Sequence, residues 1–476
     1  MSDELEKKDE GAQPAHAPAP EATGEVLAAN DYSARLEAVG RGTAKKTLDW
    51  LSKMMPKGVS EGVKLPALSL LDPTKAAAYK NFQEKKEFAE SRKLLKQRLD
   101  AWIRAIEAAD DLDDVHEKAT ERVDELGELL DKNLAGAYET IRPQEQTYRA
   151  LNGFFLNAQV EPGAPVDAYF FNATPEQLLD TDDPTLFDDL AEKIREEYKF
   201  FSLKNVYSNL VVPGWPGGVP QIDRLGKLGE MYKMQVYVDT EDYESYDEVL
   251  DNMDLYEGLR ASVSEKQYVV LAGNHLMSRD QHDFEDEALY VSPAAHIAGL
   301  VYNLDETMGT QEAAAGYVKG GLQGPLKARF RLDRDKVAKF KDLGIVPAAD
   351  WDSKVRCMGD WNLSSQEGLD TYSRIRTEDW VVKNVCHYLN KQVFKNITPK
   401  LLSAIQRDLR KFLNDIVGDD KALDSFEVEV RATEEQKARH EVDVSMKLGF
   451  KQSVHSFNVK VKEDKAGNTE VSADKE

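Results

Sequence analysis

Near its C-terminal end the chain changes period. Three segments, FEVEVR (426–431), EVDVSMKLGF (441–450) and SFNVKVK (456–462), alternate apolar and polar residues with a repeat of two. A helix repeats every 3.6 residues, so this pattern argues against helix and predicts strands with one dry face. Phe426, Val428 and Val430 share a face; so do Val442, Val444, Met446 and Leu448, and then Phe457, Val459 and Val461. The expected product is a small antiparallel sheet hung on a preceding helix. Its edges are open, and an open edge either invites aggregation or takes a strand from a neighbour. A β cap closed on its own domain is the competing expectation.

Upstream, strands and helices alternate. VDAYFFNA (166–173) reads as a strand. TPEQL (174–178) reads as a cap with Pro in the first helical turn, and LAEKIREEYKFF (190–201) as a helix. VVPGWPGGVP (211–220) is a turn-rich loop, and MYKMQVYVDT (231–240) and KQYVVLAG (266–273) carry strands. This order predicts a mixed α/β core. The N-terminal part differs. Residues 1–30 hold Pro, Ala and Glu with almost no large apolar group, a disordered lead. Leu36, Val39, Leu48, Leu51 and Met54 suggest a short amphipathic helix stopped by Pro56. Phe82, Phe88, Leu95, Leu99, Trp102, Ile103 and Ile106 then predict one long helix. After a break and cap at DDLDD (110–114), Val115, Val123, Leu126, Leu130 and Leu134 predict a second, making a helical hairpin. The expected organisation is a lead (1–30), a helical region (31–145), an α/β core (146–425), the terminal strands (426–463) and a polar tail (464–476).

Charge narrows the partners. Lys and Arg number 62 against 86 Asp and Glu, a net −24, which argues against nucleic acid and anionic membranes. No run of 18 apolar residues occurs, so no bilayer span is expected, and MSDELEKKDE lacks the apolar stretch of a secretory signal. A cytoplasmic place follows as the expectation, with Cys357 and Cys386 as buried reduced thiols.

The stretch VVLAGNHLMSRDQHDFEDE (269–287) raises a catalytic question. Gly273-Asn274-His275 closes an apolar run, as in metal-dependent phosphoesterases, and His282 and Asp286 would share a helical face at i,i+4. The companion motifs are missing. Asp114-Val115-His116 sits in an acidic helix, GDWNL and GDDKA lack the second Asp, and no Gly-His pair exists. His116-Glu117 and His440-Glu441 each begin a His-Glu-x-x-His pattern without completing it, and Gly226-Lys227 lacks the glycine of a phosphate loop. A metal-dependent hydrolase using His275 and His282 therefore stands as the alternative. The leading reading makes this stretch a loop and helix start on an exposed wall, with no catalytic, metal or cofactor residue.

The residues that follow carry a resemblance. ALYVSPAAHIAGLVYNLDETMGTQEAAAGYVKGGL (288–322) is followed by DKVAKFKDLGIVPAADWDSKVRCMGDWNLSS (335–365) and by YSRIRTEDWVVKNVCHYLNKQVFKNITPKLLSAIQRDLRKFL (372–413). Tyr290 to Pro293, Ala298 to Leu300, Asp305, Gly309, Leu343 to Ile345, Arg356, Gly359 and Arg374 to Arg376 stand in the order of the contractile tail sheath proteins. EQTYRALNGFFLNAQVEPGAPVDAYFFNATPEQLLD (145–180), with Tyr148-Arg149-Ala150-Leu151 and Asn172-Ala173-Thr174, resembles the start of the core in the large sheath subunit of the type VI secretion system, the TssC family, in a divergent Bacteroidetes-type form.

The resemblance implies a tail-sheath-like α/β core with an N-terminal helical hairpin and C-terminal strands that join an intersubunit sheet. It implies a structural, non-enzymatic role without cofactor. The partners it implies are a small TssB-like sheath subunit, further copies of the chain, an Hcp-like inner tube, a baseplate and a ClpV-like AAA+ unfoldase. The ten alternating residues, Phe426 to Val461, would be the linking strands. Lys400, Arg407, Arg410 and Lys411, on one side of the helix after Thr398-Pro399, would face the tube. Leu36, Leu48 and Leu51 would be a handle for the unfoldase or a partner subunit. A one-component phage-like tail sheath is a further alternative.

Overall fold

A computed structural model describes residues 85–94, 97–98, 104, 109–180, 184–198, 206–455, 458–463 and 469–474. The short amphipathic helix with Leu36, Leu48 and Leu51, most of the first hairpin helix, and Phe457 lie outside them. The chain divides into two units, residues 1–133 and 134–476. In the first, Asp111 accepts the Asp114 amide at 2.8 Å, the cap expected of DDLDD, and Lys118 pairs with Asp114 at 2.8 Å.

That cap starts α1 (Leu112–Ala158), which continues through Pro143. The expected helical region ends at 145, and a proline inside a helix removes a hydrogen bond, yet the helix runs past both. Tertiary contacts on both sides override it. Arg142 pairs with Glu287, Gln146 donates to the Tyr290 carbonyl at 3.1 Å, and Arg149 bonds Ser278 at 3.2 Å. VDAYFFNA is not a strand. Among the described residues no strand pairs with it, and it runs over the surface with Tyr169 and Phe170 exposed and Phe170 resting on Phe155. Thr174 and Gln177 then make the capping box of α2 (Pro175–Leu179), and α3 (Thr185–Tyr198) follows.

The core sheet is built next. β1 (Asn209–Val212), α4 (Val219–Tyr232), β2 (Gln235–Asp239), α5 (Tyr246–Asp251), α6 (Met253–Leu259) and β3 (Val269–Gly273) lead into a small sheet of β4 (Leu276–Arg279), β5 (Leu289–Val291) and, after α7 (Pro293–Thr307) and α8 (Gly316–Lys319), β6 (Lys327–Ala328). α9 (Arg334–Asp342), β7 (Ile345–Trp351) and β8 (Lys354–Cys357) complete a five-stranded sheet in the order β1-β2-β3-β7-β8. The first four strands run parallel and β8 runs antiparallel to β7. Asp352 and Ser353, both at positive φ, make the tight turn between β7 and β8.

Because strand side chains alternate, each strand feeds both faces. Val236, Val238, Val269, Leu271 and Ile345 pack with Leu225, Leu259 and Phe340 on one side. Tyr237, Val270, Ala272, Val346 and Ala348 pack with Ile297, Ala298 and Val301 of α7 on the other. Both faces are dry, as expected of parallel strands covered by helices. α7 in turn packs on α1 through a glycine: a Cβ on Gly299 would lie 2.3 Å from the Phe154 carbonyl.

A third cluster joins α10 (Tyr372–Asn390), α11 (Pro399–Asp415), β9 (Leu423–Arg431) and, after the short α12 (Glu434–Ala438), β10 (Asp443–Phe450). The last two strands, β11 (Asn458–Glu463) and β12 (Thr469–Asp474), pair antiparallel with each other. The sequence puts β11 in one sheet with β9 and β10 and makes 464–476 a polar tail. Instead β12 lies in that tail and gives β11 its partner. Of the two cysteines, Cys357 is buried as expected and Cys386 is exposed.

Candidate functional site

The C-terminal third holds two β elements of different character. In β9 and β10 the pairs Phe426↔Leu448, Val428↔Met446 and Val430↔Val444 stack along one face. That face closes on Ile405, Leu409 and Leu413 of α11 and Val381 and Val385 of α10, with Val442 alongside. Seven of the ten alternating residues therefore cover this chain's own helices, as the competing β cap expects. β11 and β12 are set apart, in register Val459↔Ala473 and Val461↔Val471. Among the described residues each pairs only with the other, so each has one free edge. Two strands alone are marginal in water.

Thr398 caps α11 by accepting the Leu401 amide at 3.1 Å, with Pro399 in the first turn. Lys400, Arg407, Arg410 and Lys411 are all exposed. Arg407 touches Asp408 at 3.2 Å, and Asp408 also accepts from Tyr388 at 2.8 Å. The loop before α11 carries Phe394, fully exposed and at φ +66, and the exposed Val393. Positive φ is costly for a bulky side chain. Sequence reading missed this loop, although a signal was there. The 28 residues from Trp380 to Arg407 contain no Asp or Glu, in a chain with 86 of them.

The hydrolase candidates are occupied otherwise. His275 is buried; burial and the nearby Arg329 charge push its imidazole down to about 3, so it stays neutral. Its Nδ1 lies 3.5 Å from Asp242 and has no hydrogen-bond partner among the described residues. His282 is exposed and stacks on Phe284. The segment is β4 followed by a turn, not a helix start, so the i,i+4 geometry of His282 and Asp286 is absent. Its acids answer arginines. Glu285 takes Arg279 at 2.6 and 2.8 Å, and Arg279 also reaches Glu145 of α1 at 3.0 and 3.1 Å and Tyr138. Arg329 bonds Asp242 at 3.1 Å and Glu287 at 3.0 Å. The charges that looked like metal ligands are a lock between α1 and the small sheet, while Asp283 and Asp286 stay exposed. Among the described residues no group of three or more His, Cys, Asp or Glu could hold a metal.

The residues of the sheath-like segments do converge. Arg376 is buried and spans Asp305 at 2.8 Å and the carbonyls of Thr310 and Glu312 at 3.0 and 2.9 Å, around a turn at Gly309. Arg356 stacks on Tyr317 at 4.5 Å.

Three family models match in succession. They are the N-terminal region of TssC/VipB-like proteins over residues 59–134, the central domain of type VI secretion system TssC/VipB over 136–363, and the TssC/VipB-like C-terminal domain over 371–475. Curated protein sequences give no match. Among solved structures, a chain of the anti-feeding prophage baseplate, 6-fold symmetrised, is 16% identical at a TM-score of 0.50, covering 66% of this chain and 80% of that one. A chain of the contracted anti-feeding prophage helical sheath is 16% identical at 0.48, covering 66% and 81%. The sheath tail protein of Listeria innocua is 11% identical at 0.38, covering 56% and 60%. The first likeness shows a shared fold. Among the described residues no helix is long and apolar enough to cross a membrane.

Proposed function

This chain belongs to the TssC/VipB family of the type VI secretion system, and from that premise we propose how its parts serve a contractile sheath. It is the large sheath subunit, pairing with a smaller TssB-like subunit in the cytoplasm. Many such pairs stack with further copies into a sleeve on a baseplate, around an Hcp-like inner tube. Contraction drives the tube outward, and a ClpV-like unfoldase then dismantles the sleeve, with Leu36, Leu48 and Leu51 as the handle for it or for a partner subunit. The stored energy is the difference between two packings of the same subunits, so the role needs no reaction and no cofactor. Placement in the divergent Bacteroidetes-type branch rests on the wording of the motifs.

One observation carries the linkage part. β9 and β10 spend their apolar face on the chain's own helices, whereas among the described residues β11 and β12 pair only with each other and leave their outer edges free. Strands donated to a neighbour join through backbone hydrogen bonds, which tolerate rotation of the subunit bodies. The linking role among the ten alternating residues therefore concentrates on Phe457, Val459 and Val461. Lys400, Arg407, Arg410 and Lys411 make a cationic face for the tube, and the acid-free loop with Phe394 extends it. Electron microscopy of the chain co-expressed with its small subunit tests the reading. Hollow tubes from the full chain, and single pairs from a chain ending at His455, are expected. Tubes of equal length from both would overturn the linkage.

A further inference from the structure

An arm that links subunits must leave the core in a defined direction, and one buried carboxylate meets the arm where it leaves. Asp360 follows β8 and is 2% exposed. Its Oδ2 accepts from Ser453 Oγ at 2.7 Å and from Ser373 Oγ, in the first turn of α10, at 3.4 Å. Its Oδ1 lies 2.7 Å from His455 Nε2. Lys341, at the end of α9, reaches His455 Nδ1 at 2.8 Å. An ammonium can only donate, so Nδ1 is the acceptor and the proton sits on Nε2, directed at Asp360. The His455 ring meets Trp361 edge-on at 6.1 Å. Trp361 is itself fixed by donating to the Ile345 carbonyl at 2.8 Å, and it fills the space a Cβ on Gly359 would need. At the other end of the root, Phe450 lies under the Arg374 guanidinium at 4.8 Å.

We propose that Ser453 and His455 close on Asp360 as a clasp that fixes the root of the C-terminal arm to the core and sets where β11 and β12 are presented. The proposal rests on the linkage reading above. Lys341 at the end of α9 and Asp360 after β8 meet the two strap side chains, and Ser373 at the start of α10 braces Asp360 from behind. β11 begins three residues after His455, a reach of at most about 10 Å, so the clasp confines the hairpin. Burial pushes the Asp360 carboxyl up, but the His455, Ser453 and Ser373 hydrogen bonds outweigh it and hold the group below its usual value. Lifting the strap would break the short Ser453 and His455 hydrogen bonds to this charge and leave, among the described residues, the longer one from Ser373, which favours the closed clasp. Asp360, Ser453 and His455 are positioning residues: they act on the neighbour through the arm.

Limited trypsin cleavage after Lys451, at the root of the strap, tests this on the full chain co-expressed with the small subunit, using Ser453→Ala/His455→Ala and His455→Gln. Both changes lie on the strap, so the core keeps its fold. In the double variant cleavage after Lys451 should be about tenfold faster or more, while the sites within α11 stay protected. Tubes should be shorter or absent. His455→Gln keeps a donor toward Asp360 and should behave as the unaltered chain in both. Unchanged cleavage after Lys451, or a loosened root with tubes of normal length and yield, would overturn the clasp. Failure of the unaltered chain to form tubes would instead overturn the linkage reading, and the cleavage result would then judge the closed root alone.

Discussion

Replacing Arg279 with Met tests the lock between α1 and the small sheet. Arg279 is 13% exposed and serves Glu285, Glu145 and Tyr138 at once, its guanidinium 5.1 Å from the Tyr138 ring centre. Hydrogen bonds from Arg279 pull the Glu285 and Glu145 carboxyls from 4.5 to about 2. A shift of that size is worth about 3 kcal/mol per carboxylate, an upper bound because water screens Glu145, which is 23% exposed. Removing one partner of a buried pair costs about 3–5 kcal/mol. With screening, Arg279→Met should cost about 2–4 kcal/mol at pH 7. The sign with pH follows from the depressed values. The stabilisation is complete above about pH 4.5 and is lost as pH falls from there toward about 2. The wild-type chain should lose stability across that window and Arg279→Met should lose less. Urea unfolding followed by helix circular dichroism at pH 7 and at about pH 3.5 measures both. Changing all three residues, Arg279→Met with Glu145→Gln and Glu285→Gln, should recover part of the loss, since no unpaired charge remains. A single variant within about 0.5 kcal/mol of wild type, or one with the wild-type acid slope, would refute the reasoning.

Gly299→Ala forces a Cβ to 2.3 Å from the Phe154 carbonyl and should cost about 1–3 kcal/mol, read as a lower unfolding midpoint. His275 is held near 3 against an ordinary 6.5, so the unfolded chain takes up that proton first and stability falls as pH drops from about 6.5 toward 3. His275→Gln should flatten unfolding over that window and leave tube formation intact; lost assembly would contradict the buried, structural role. Phe394→Ser touches no packed neighbour and should leave unfolding within about 0.5 kcal/mol of wild type. Combined with Lys400→Glu and Arg407→Glu it should reduce the inner tube recovered with sheaths, and unchanged recovery would remove that face from tube contact.

What the sequence reveals and what it hides have physical reasons. The alternation of Phe426 to Val430 and Val442 to Leu448 is legible because one face of that sheet is buried and the other wet. The parallel core strands are legible as apolar runs with flanking Gly and Pro. β12 (TEVSAD) has only Val471 and Ala473 on its alternating positions, too weak a pattern to separate from a tail. VDAYFFNA has a strand's composition without a partner among the described residues, and composition alone does not supply one. Helix α1 passes Pro143 because contacts distant in sequence hold both flanks, and no local pattern shows them. Residues 280–287 read as a ligand-rich loop because the arginines that neutralise them, Arg142, Arg279 and Arg329, are spread over nearly two hundred positions. The sheath-like motifs single out Arg356 and Arg376, and only the fold shows what they hold.

The most direct test of the central claim is electron microscopy of tubes made by this chain with its small sheath subunit, comparing the full chain with one ending at His455. The account predicts hollow sleeves from the full chain and only discrete pairs from the shortened one, whose core keeps its unfolding transition. Sleeves of the same length and symmetry from the shortened chain would contradict it, because the free-edged hairpin would then link nothing.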